Sequence, residues 1–496
     1  MACDVVVSVR AKTLEELHER AVLAAPEADL VELRIDALAA EQRSASDCAR
    51  AAEAIADACA RPIVVACHGP EAFGAFLGSS AERIESLRPW LRSASWVDLD
   101  LDTVGNCGPL PAGVRRVVSE HRREGGAARA GARMRALLDR CGPHDRAKFV
   151  PQAHNGQTGL ELLEALRGVE DSRLVAFAAG IHGRTTRVLA PIFGSRAVYA
   201  CADREAATAP GQLSVEALRA AWPRAGVSTS TRIAAVIGRE IAHSRSPAVH
   251  THGLRELGLD AVFTRFDVDD FNAAFELLRR WEAVIGLAVT APFKSDAVRV
   301  ASESSATVRR VGAANTLRWR GSDWIADNTD VDAVEELANA DGRRSSRSLV
   351  CGAGGAARAA LGALVAEGRS AAICARRSSA ASELATEFGA DVVDWERVDL
   401  EDFDLVVNAT PLGGPSAPGE MPPLPDPWPS GVALIESNYG AGPTPLVRRA
   451  RAVGAPVADG GAWFLAQARA QFELLFDAPA PAEAMQAAFE GQECEW

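Results

Sequence analysis

The chain has 496 residues, 48% of them hydrophobic and 24% charged, with a net charge of −13. That length exceeds one ordinary domain, and the composition is that of a packed globular protein. The 53 basic residues are scattered through an acidic chain, so no nucleic-acid face is expected, and no apolar run approaches the roughly 20 residues of a membrane span.

The ten cysteines run from Cys3 to Cys494 with no CxxC pair and no His/Cys metal spacing. Reduced thiols in a cytoplasmic protein are expected, without a resident metal. The start, "MACDVVVSVR", has no basic region ahead of its short apolar run, so a signal peptide is not expected.

Eight short apolar runs occupy the first 220 residues: 5–9, 30–35, 63–67, 96–101, 115–119, 148–150, 174–178 and 197–201. The run at 148–150, "KFV", is the weakest. Ala-, Leu- and Glu-rich helical stretches such as 13–25 and 46–60 lie between most of them. Eight alternating β/α units predict an α/β fold of the (β/α)8 barrel type, with a doubly wound open sheet as the alternative. Barrel chemistry gathers at the carboxyl ends of strands. Here those ends carry Glu32, Arg34, His68, Asp100, His121 and Lys148.

Lys148 stands out by scarcity. Only three of the 53 basic residues are lysines, namely Lys12, Lys148 and Lys294. A lysine amine sheds its proton and condenses with a carbonyl to form an imine, which a guanidinium does not do. In an arginine-biased chain, a lysine at a strand end points to Schiff-base chemistry, against the plainer reading of a snorkelling side chain.

The stretch 223–231 has Pro, Gly and a Ser/Thr run and reads as a linker. "IAAVIG" then opens a second β/α series. Further on, "GAGGAA" places Gly352, Gly354 and Ala357 in the G-x-G-x-x-A arrangement between an apolar strand and a helix, with Gly355 beside them. Such a turn lets backbone N–H groups approach a pyrophosphate. The next strand ends in Arg376 and Arg377, where an acidic residue would read a ribose hydroxyl. Paired guanidiniums suit a 2′-phosphate, so NADP(H) is expected over NAD. Lys294 in "VTAPFKSD" and Asp330 in "IADNTDVD" are candidates for passing a proton to a ketone during reduction, if the fold brings them together. The Pro-rich segment 411–431 reads as an irregular surface loop.

The last 265 residues resemble shikimate dehydrogenase throughout, on the motifs "HSRSP", "VTAPFK", "GAANTL", "DNTD", "GAGGAAR", "NATPLG", "ESNYGAGPTPL" and "AWFLAQARAQF". The resemblance implies Ser244, Ser246, Thr290, Asn315, Tyr439 and Gln467 as substrate ligands. It implies Lys294 with Asp330 as the catalytic pair, and Asn408, Ala409 and Thr410 near the cofactor. One departure is "AVT" for the family's "NVT", which puts Ala288 in place of a substrate-binding asparagine.

The first 220 residues resemble type I 3-dehydroquinate dehydratase, on "DLVELRID", "VVSEH", "KFVPQ", "TTRVLAPIFGS" and "ATAPGQLS". This implies an eight-stranded barrel with Lys148 as the imine-forming lysine and His121 as acid–base catalyst. Glu32, Arg34, Arg187, Thr208 and Gln212 become substrate ligands, with Arg187 on the carboxylate. Again there is a departure: His68 and Ala72 stand where the family has a substrate-binding arginine and a glutamate beside the catalytic histidine. A neutral His68 and a missing carboxylate predict a slowed dehydratase that limits the coupled reaction and gains as pH falls toward the titration of His68.

Together the resemblances imply a bifunctional enzyme. A barrel spans 1–222, a linker 223–231, a shikimate-binding lobe 232–332, an NADP-binding Rossmann lobe 333–464 and returning helices 465–496. The expected partners are small shikimate-pathway acids, with no metal, nucleic acid or membrane. The rivals are a quinate or shikimate dehydrogenase with a decayed barrel, and a sensor that binds quinate-like ligands without turnover.

Overall fold

The computed structural model describes residues 3–491 apart from 125, 128, 341–345 and 441. The chain forms two compact units. Among the described residues, one takes in the chain up to Arg232 together with Gly258–Ala283; the other holds Ile233–Leu257 and Val284–Gly491.

The first unit is built on eight parallel strands: β1 (Asp4–Arg10), β2 (Leu30–Arg34), β3 (Ile63–Ala66), β4 (Trp96–Asp100), β5 (Arg115–Arg122), β6 (Arg146–Pro151), β7 (Leu174–Ala176) and β8 (Ala197–Cys201). Each pairs with the next in sequence, and β8 pairs back on β1. The Arg196 amide donates to the Leu174 carbonyl at 2.8 Å, which joins the foot of β8 to β7 and closes the ring. All eight predicted strands are present. The weak "KFV" run becomes six residues because β5 and β7 pair with it on both sides, a tertiary gain that local sequence does not carry.

Strands buried on both faces need continuous apolar runs rather than alternation. In β1, Val5, Val6, Val7 and Val9 are all buried. Helices cover the outside. Leu14–Ala24 is capped by Thr13, whose hydroxyl accepts from the Glu16 amide, and Ala45–Cys59 by Ser44 in the same way. A cap of this kind contributes about 1 kcal/mol. The first helix turns Leu17, Ala21 and Ala24 inward, the three- and four-residue spacing of an apolar helical stripe. Between helix Val215–Ala221 and β9 (Arg232–Gly238) there is no helix or strand. β10 (Ala261–Asp267) also belongs to the first unit, against helix Gly156–Arg167.

The second unit holds two sheets. In one, β9, β11 (Val284–Val289), β13 (Thr316–Arg320), β14 (Asp323–Asp327) and β12 (Glu303–Ser304) follow one another, with β13 antiparallel to both of its neighbours. The other is wholly parallel, ordered β17-β16-β15-β18-β19-β20. Its strands are β15 (Arg347–Cys351), β16 (Ser370–Cys374), β17 (Asp391–Val392), β18 (Leu405–Asn408), β19 (Ala433–Glu436) and β20 (Val457–Ala458). Numbered from β15, this is the 3-2-1-4-5-6 order of a dinucleotide-binding fold, whose ligands bind where the order reverses, between β15 and β18.

Segment 411–431 has no helix or strand, as expected, but it is not wholly superficial. Trp428 is buried in the core beneath this sheet and donates from Nε1 to the Val432 carbonyl at 2.9 Å. Among the described residues no helix is long and apolar enough to cross a membrane.

Candidate active sites

The barrel register sets Asp100, Ser119 and Lys148 side by side on β4, β5 and β6. Lys148 is 3% exposed. Its Nζ contacts Asp98 Oδ2 directly, lies 3.9 Å from Glu32 Oε1 and sits 4.4 Å from the centre of the Tyr199 ring. Burial disfavours its charge, but Asp98, Tyr199 and Glu32 outweigh that and hold the lysine pKa above its ordinary value. The resting lysine is therefore an ammonium clamped by an acid.

His121 Nδ1 is 3.3 Å from Asp100 Oδ1, and its ring meets His68 edge-on at 4.9 Å between centroids. Burial, with Lys148 and His68 nearby, drives its pKa down to about 4 against the pull of Asp100. His121 is thus neutral at pH 7, the form a proton acceptor requires.

His68 Nδ1 lies 3.0 Å from both oxygens of Asp100. Burial works against its charge, yet Asp100 and Asp98 prevail and its pKa is raised. The sequence suggests a neutral His68; here two acids pull its pKa upward, toward the cation. Position 72 offers no carboxylate, and the one beside His121 is that of Asp100 on β4. Asp100 is fixed in turn by Arg83, whose Nη1 donates to it at 3.0 Å.

The other predicted ligands ring this cluster. Arg34 donates to both oxygens of Asp36 at 2.8 and 3.2 Å and reaches the Thr208 carbonyl at 3.5 Å. Gln212 Oε1 accepts from the Thr208 amide at 2.7 Å and hydroxyl at 3.0 Å. Arg187 is 1% exposed, lies 4.4 Å over the Phe177 ring and donates from Nη1 to the Tyr199 carbonyl at 2.9 Å. No carboxylate pairs with it among the described residues, and burial lowers its pKa to about 10. A buried cation without a counter-ion is costly unless an anion arrives.

Sequence reasoning missed Asp98, which holds the lysine, and Ser119, which donates to Asp98 Oδ1 at 2.6 Å. A signal for Asp98 was present: in "WVDLDL" the two acids are two residues apart, so they share one face of β4. Arg83 lies on a helix and gave no such signal.

In the second unit, a cleft of about 740 Å³ is lined by most of the predicted residues. Ser244, Ser246, Thr290, Asn315, Tyr439 and Gln467 line it, as do Lys294, Asp330, Gly354, Gly355, Arg377, Ala409 and Thr410. Lys294 opens helix Lys294–Val300 and Asp330 lies in the first turn of helix Thr329–Asn339, where the helix dipole favours a carboxylate. Their Nζ–Oδ2 distance is 2.5 Å, so the pair that sequence alone left apart is joined. Trp463 Nε1 donates to the other Asp330 oxygen at 3.3 Å. Trp463, Gln467 and Gln471 all line the cleft from one helix at four-residue spacing, a pattern readable in "AWFLAQARAQ" that was used only for Gln467. Asn315 is tied down at 2.9 Å to the Thr329 hydroxyl and at 2.8 Å to the Thr329 amide.

The glycine-rich turn behaves as its spacing predicts. Gly352 has φ +114°, and a Cβ there would meet the Ala409 carbonyl at 2.8 Å. A Cβ on Gly354 would meet nothing within 4 Å, so the turn is open where a phosphate would approach. A Cβ on Gly355 would strike the Lys294 side chain at 2.9 Å. Ala357 is fully buried in the core below. The residues therefore fit a dinucleotide. Arg376 and Arg377 are exposed and make no ion pair among the described residues; only Arg377 lines the cleft. Asn408 is fully buried. It donates to Glu436 at 3.0 and 2.9 Å and accepts from the Thr410 amide and hydroxyl, so it shapes the 409–412 loop from beneath.

A lysine-centred (β/α)8 barrel followed by a dinucleotide-binding fold defines a two-centre chain, with imine chemistry in one unit and reduction in the other. The family model of type I 3-dehydroquinase matches residues 5–227, and that of the shikimate dehydrogenase substrate binding domain matches 236–317. The shikimate dehydrogenase (NADP(+)) of Anaeromyxobacter dehalogenans strain 2CP-1 is 37% identical over 279 residues, which cover 54% of this chain and 99% of that protein. The solved shikimate dehydrogenase of Aquifex aeolicus is 26% identical with a TM-score of 0.51, over 53% of this chain and all of that one. The dehydroquinate dehydratase and shikimate dehydrogenase of S. pombe AroM aligns over 99% of both chains at 21% identity, with a TM-score of 0.44. The chain belongs to the shikimate dehydrogenase family and carries a type I 3-dehydroquinase domain ahead of it.

Proposed function

We propose that the chain dehydrates 3-dehydroquinate to 3-dehydroshikimate in the barrel and reduces that product to shikimate with NADPH in the second unit. The observation that carries the first half is a buried lysine between two acids, with a neutral histidine next to it and, in the same barrel, an arginine that has no counter-ion among the described residues. Arg187 receives the substrate carboxylate. Lys148 gives its proton to a carboxylate in reach, Asp98 being in contact, and the free amine adds to the ketone; loss of water leaves a protonated imine. That imine draws electrons from the adjacent C–H bond. His121, neutral and oriented by Asp100, removes the proton and then delivers it to the departing hydroxyl, which leaves as water. Hydrolysis of the imine frees Lys148.

In the second unit the cofactor supplies the hydride, and the residues of the chain handle the proton. The Lys294 ammonium, held by Asp330, donates to the ketone oxygen as it becomes an alcohol. Ser244 and Ser246 hold the substrate carboxylate, with Thr290, Asn315, Tyr439 and Gln467 around the ring. Arg377, with Arg376 beside it, reads the 2′-phosphate. Ala288 lines the same cleft, so the wall keeps an apolar patch where the family has an amide. The test is to supply 3-dehydroquinate with NADPH and identify the product. Shikimate is expected; consumption of quinate with NADP+ and no dehydration would favour a quinate dehydrogenase with an inactive barrel.

A further inference from the structure

The exchange of arginine for histidine at 68 does more than alter charge, because it puts a metal-ligating ring where the family has a group that cannot ligate. Glu32, His68 and Asp98 each offer one ligand atom, and these atoms lie within 4.8 Å of one another. All three residues are 2% exposed or less. Two of the atoms, Glu32 Oε1 and His68 Nε2, are buried and make no hydrogen bond. Buried polar atoms without a hydrogen bond are rare in a well-packed core, and here two face one space. His68 Nε2 lies 3.8 Å from Asp98 Oδ2.

The far side of the imidazole completes the pattern. His68 Nδ1 is anchored on Asp100, and Asp100 on Arg83. Metal-bound histidines regularly give their second nitrogen to a carboxylate, which fixes the ring and directs the other lone pair at the ion. Ligand atoms around one tetrahedral ion at bonds of about 2.0–2.1 Å sit roughly 3.4 Å apart, so small side-chain shifts suffice to close the set. Imidazole with carboxylates suits Zn2+ and its borderline neighbours better than the hard, all-oxygen sites of Ca2+ or Mg2+.

We propose that Glu32, His68 and Asp98 form a binding site for a divalent d-block cation such as Zn2+, and that its occupation switches off the barrel. The ion displaces any proton on His68 Nε2, takes from Lys148 the Asp98 and Glu32 oxygens that now flank its ammonium, and fills the space at the amine that a ketone would enter. It is an inhibitory site and takes no part in the dehydration itself.

Co2+ added to the full-length protein gives the first measurement. One equivalent is expected to bind with visible d–d bands of nitrogen and oxygen ligation, without the intense charge-transfer band of a thiolate. His68→Arg and, independently, Glu32→Gln should weaken binding about 10- to 100-fold. With Zn2+, dehydration should fall in step with occupancy and return on chelation, while the same molecules reduce 3-dehydroshikimate at an unchanged rate. Undiminished Co2+ binding in both variants, a thiolate band, the absence of binding, or equal inhibition of both reactions would overturn the proposal.

Discussion

In the barrel, Lys148 is 3% exposed, touches Asp98 and lies 3.9 Å from Glu32; in the second unit, Lys294 has a side chain 17% exposed and, among the described residues, pairs with Asp330 alone, in an open cleft. The difference follows the chemistry. An imine must form and be protected, which calls for a dry pocket and an acid close enough to take the ammonium proton. A lysine that only hands a proton to an oxygen needs a partner that sets its position and a path to solvent that resets it. Arginine fails at the first task for want of a free amine, and at the second because it does not readily release its proton.

The largest effect that can break this contrast is at Lys148. Lys148→Arg should lower dehydration by on the order of 10⁴-fold or more while reduction of 3-dehydroshikimate persists. Borohydride with either dehydroquinate or dehydroshikimate should leave an adduct on Lys148 in the parent protein, read by peptide mass spectrometry. Retained dehydration in the arginine variant would end the imine reading.

Next come Lys294 and Asp330. Each alanine variant should lose about 10²- to 10⁴-fold in reduction turnover, and the double variant little more than the worse single one. NADPH affinity, measured by fluorescence titration, should survive all three. Additive losses would mean two separate roles.

A third test probes acid stability, to which a buried histidine in each unit contributes, His121 in the barrel and His250 in the second unit. In the second unit, burial holds the His250 pKa down to about 4. An unfolded chain protonates the same group near 6.5. The contribution of His250 is therefore complete above about pH 6.5 and is lost as pH falls toward 4, by about 3 kcal/mol in all. Urea titrations between pH 7 and 4 should show that loss in the second unit, and His250→Gln should flatten it.

The smallest expected effect separates the two exposed arginines. Arg377→Ala should raise the NADPH Michaelis constant about tenfold and leave NADH use unchanged, with Arg376→Ala weaker because only Arg377 lines the cleft. Equal losses with both cofactors would deny the phosphate-reading role.

What was legible in the sequence was whatever local pattern encodes. The barrel strands were visible as buried β-branched runs, and the turn at Gly352 as glycine spacing. Lys148 and Lys294 stood out because their residue type is scarce. What was hidden depends on approach across the fold. His68 and Asp100 are 32 residues apart, and nothing near His68 announces the acid that pulls its pKa upward. Likewise Asp100 and His121 are 21 residues apart, which concealed that a carboxylate meets the histidine although position 72 is alanine. Arg83 came from a helix outside the strand-end pattern, and the bond that ties the Asn408 amide to Glu436 spans 28 residues.

The lysine scarcity also has a practical side. Lys148 is buried and Lys294 is engaged with Asp330, whereas Lys12 is exposed in the loop just after β1. An amine-reactive dye or an activated resin will therefore find one side-chain amine readily open to it, in a chain of 496 residues. That amine sits at the carboxyl end of a barrel strand, on the rim through which a barrel admits its substrate. Coupling chemistry usually regarded as random becomes close to site-directed here, and it directs the bead or label onto the mouth of the barrel. Immobilisation for a flow reactor would do better through an engineered thiol or an affinity tag than through amines.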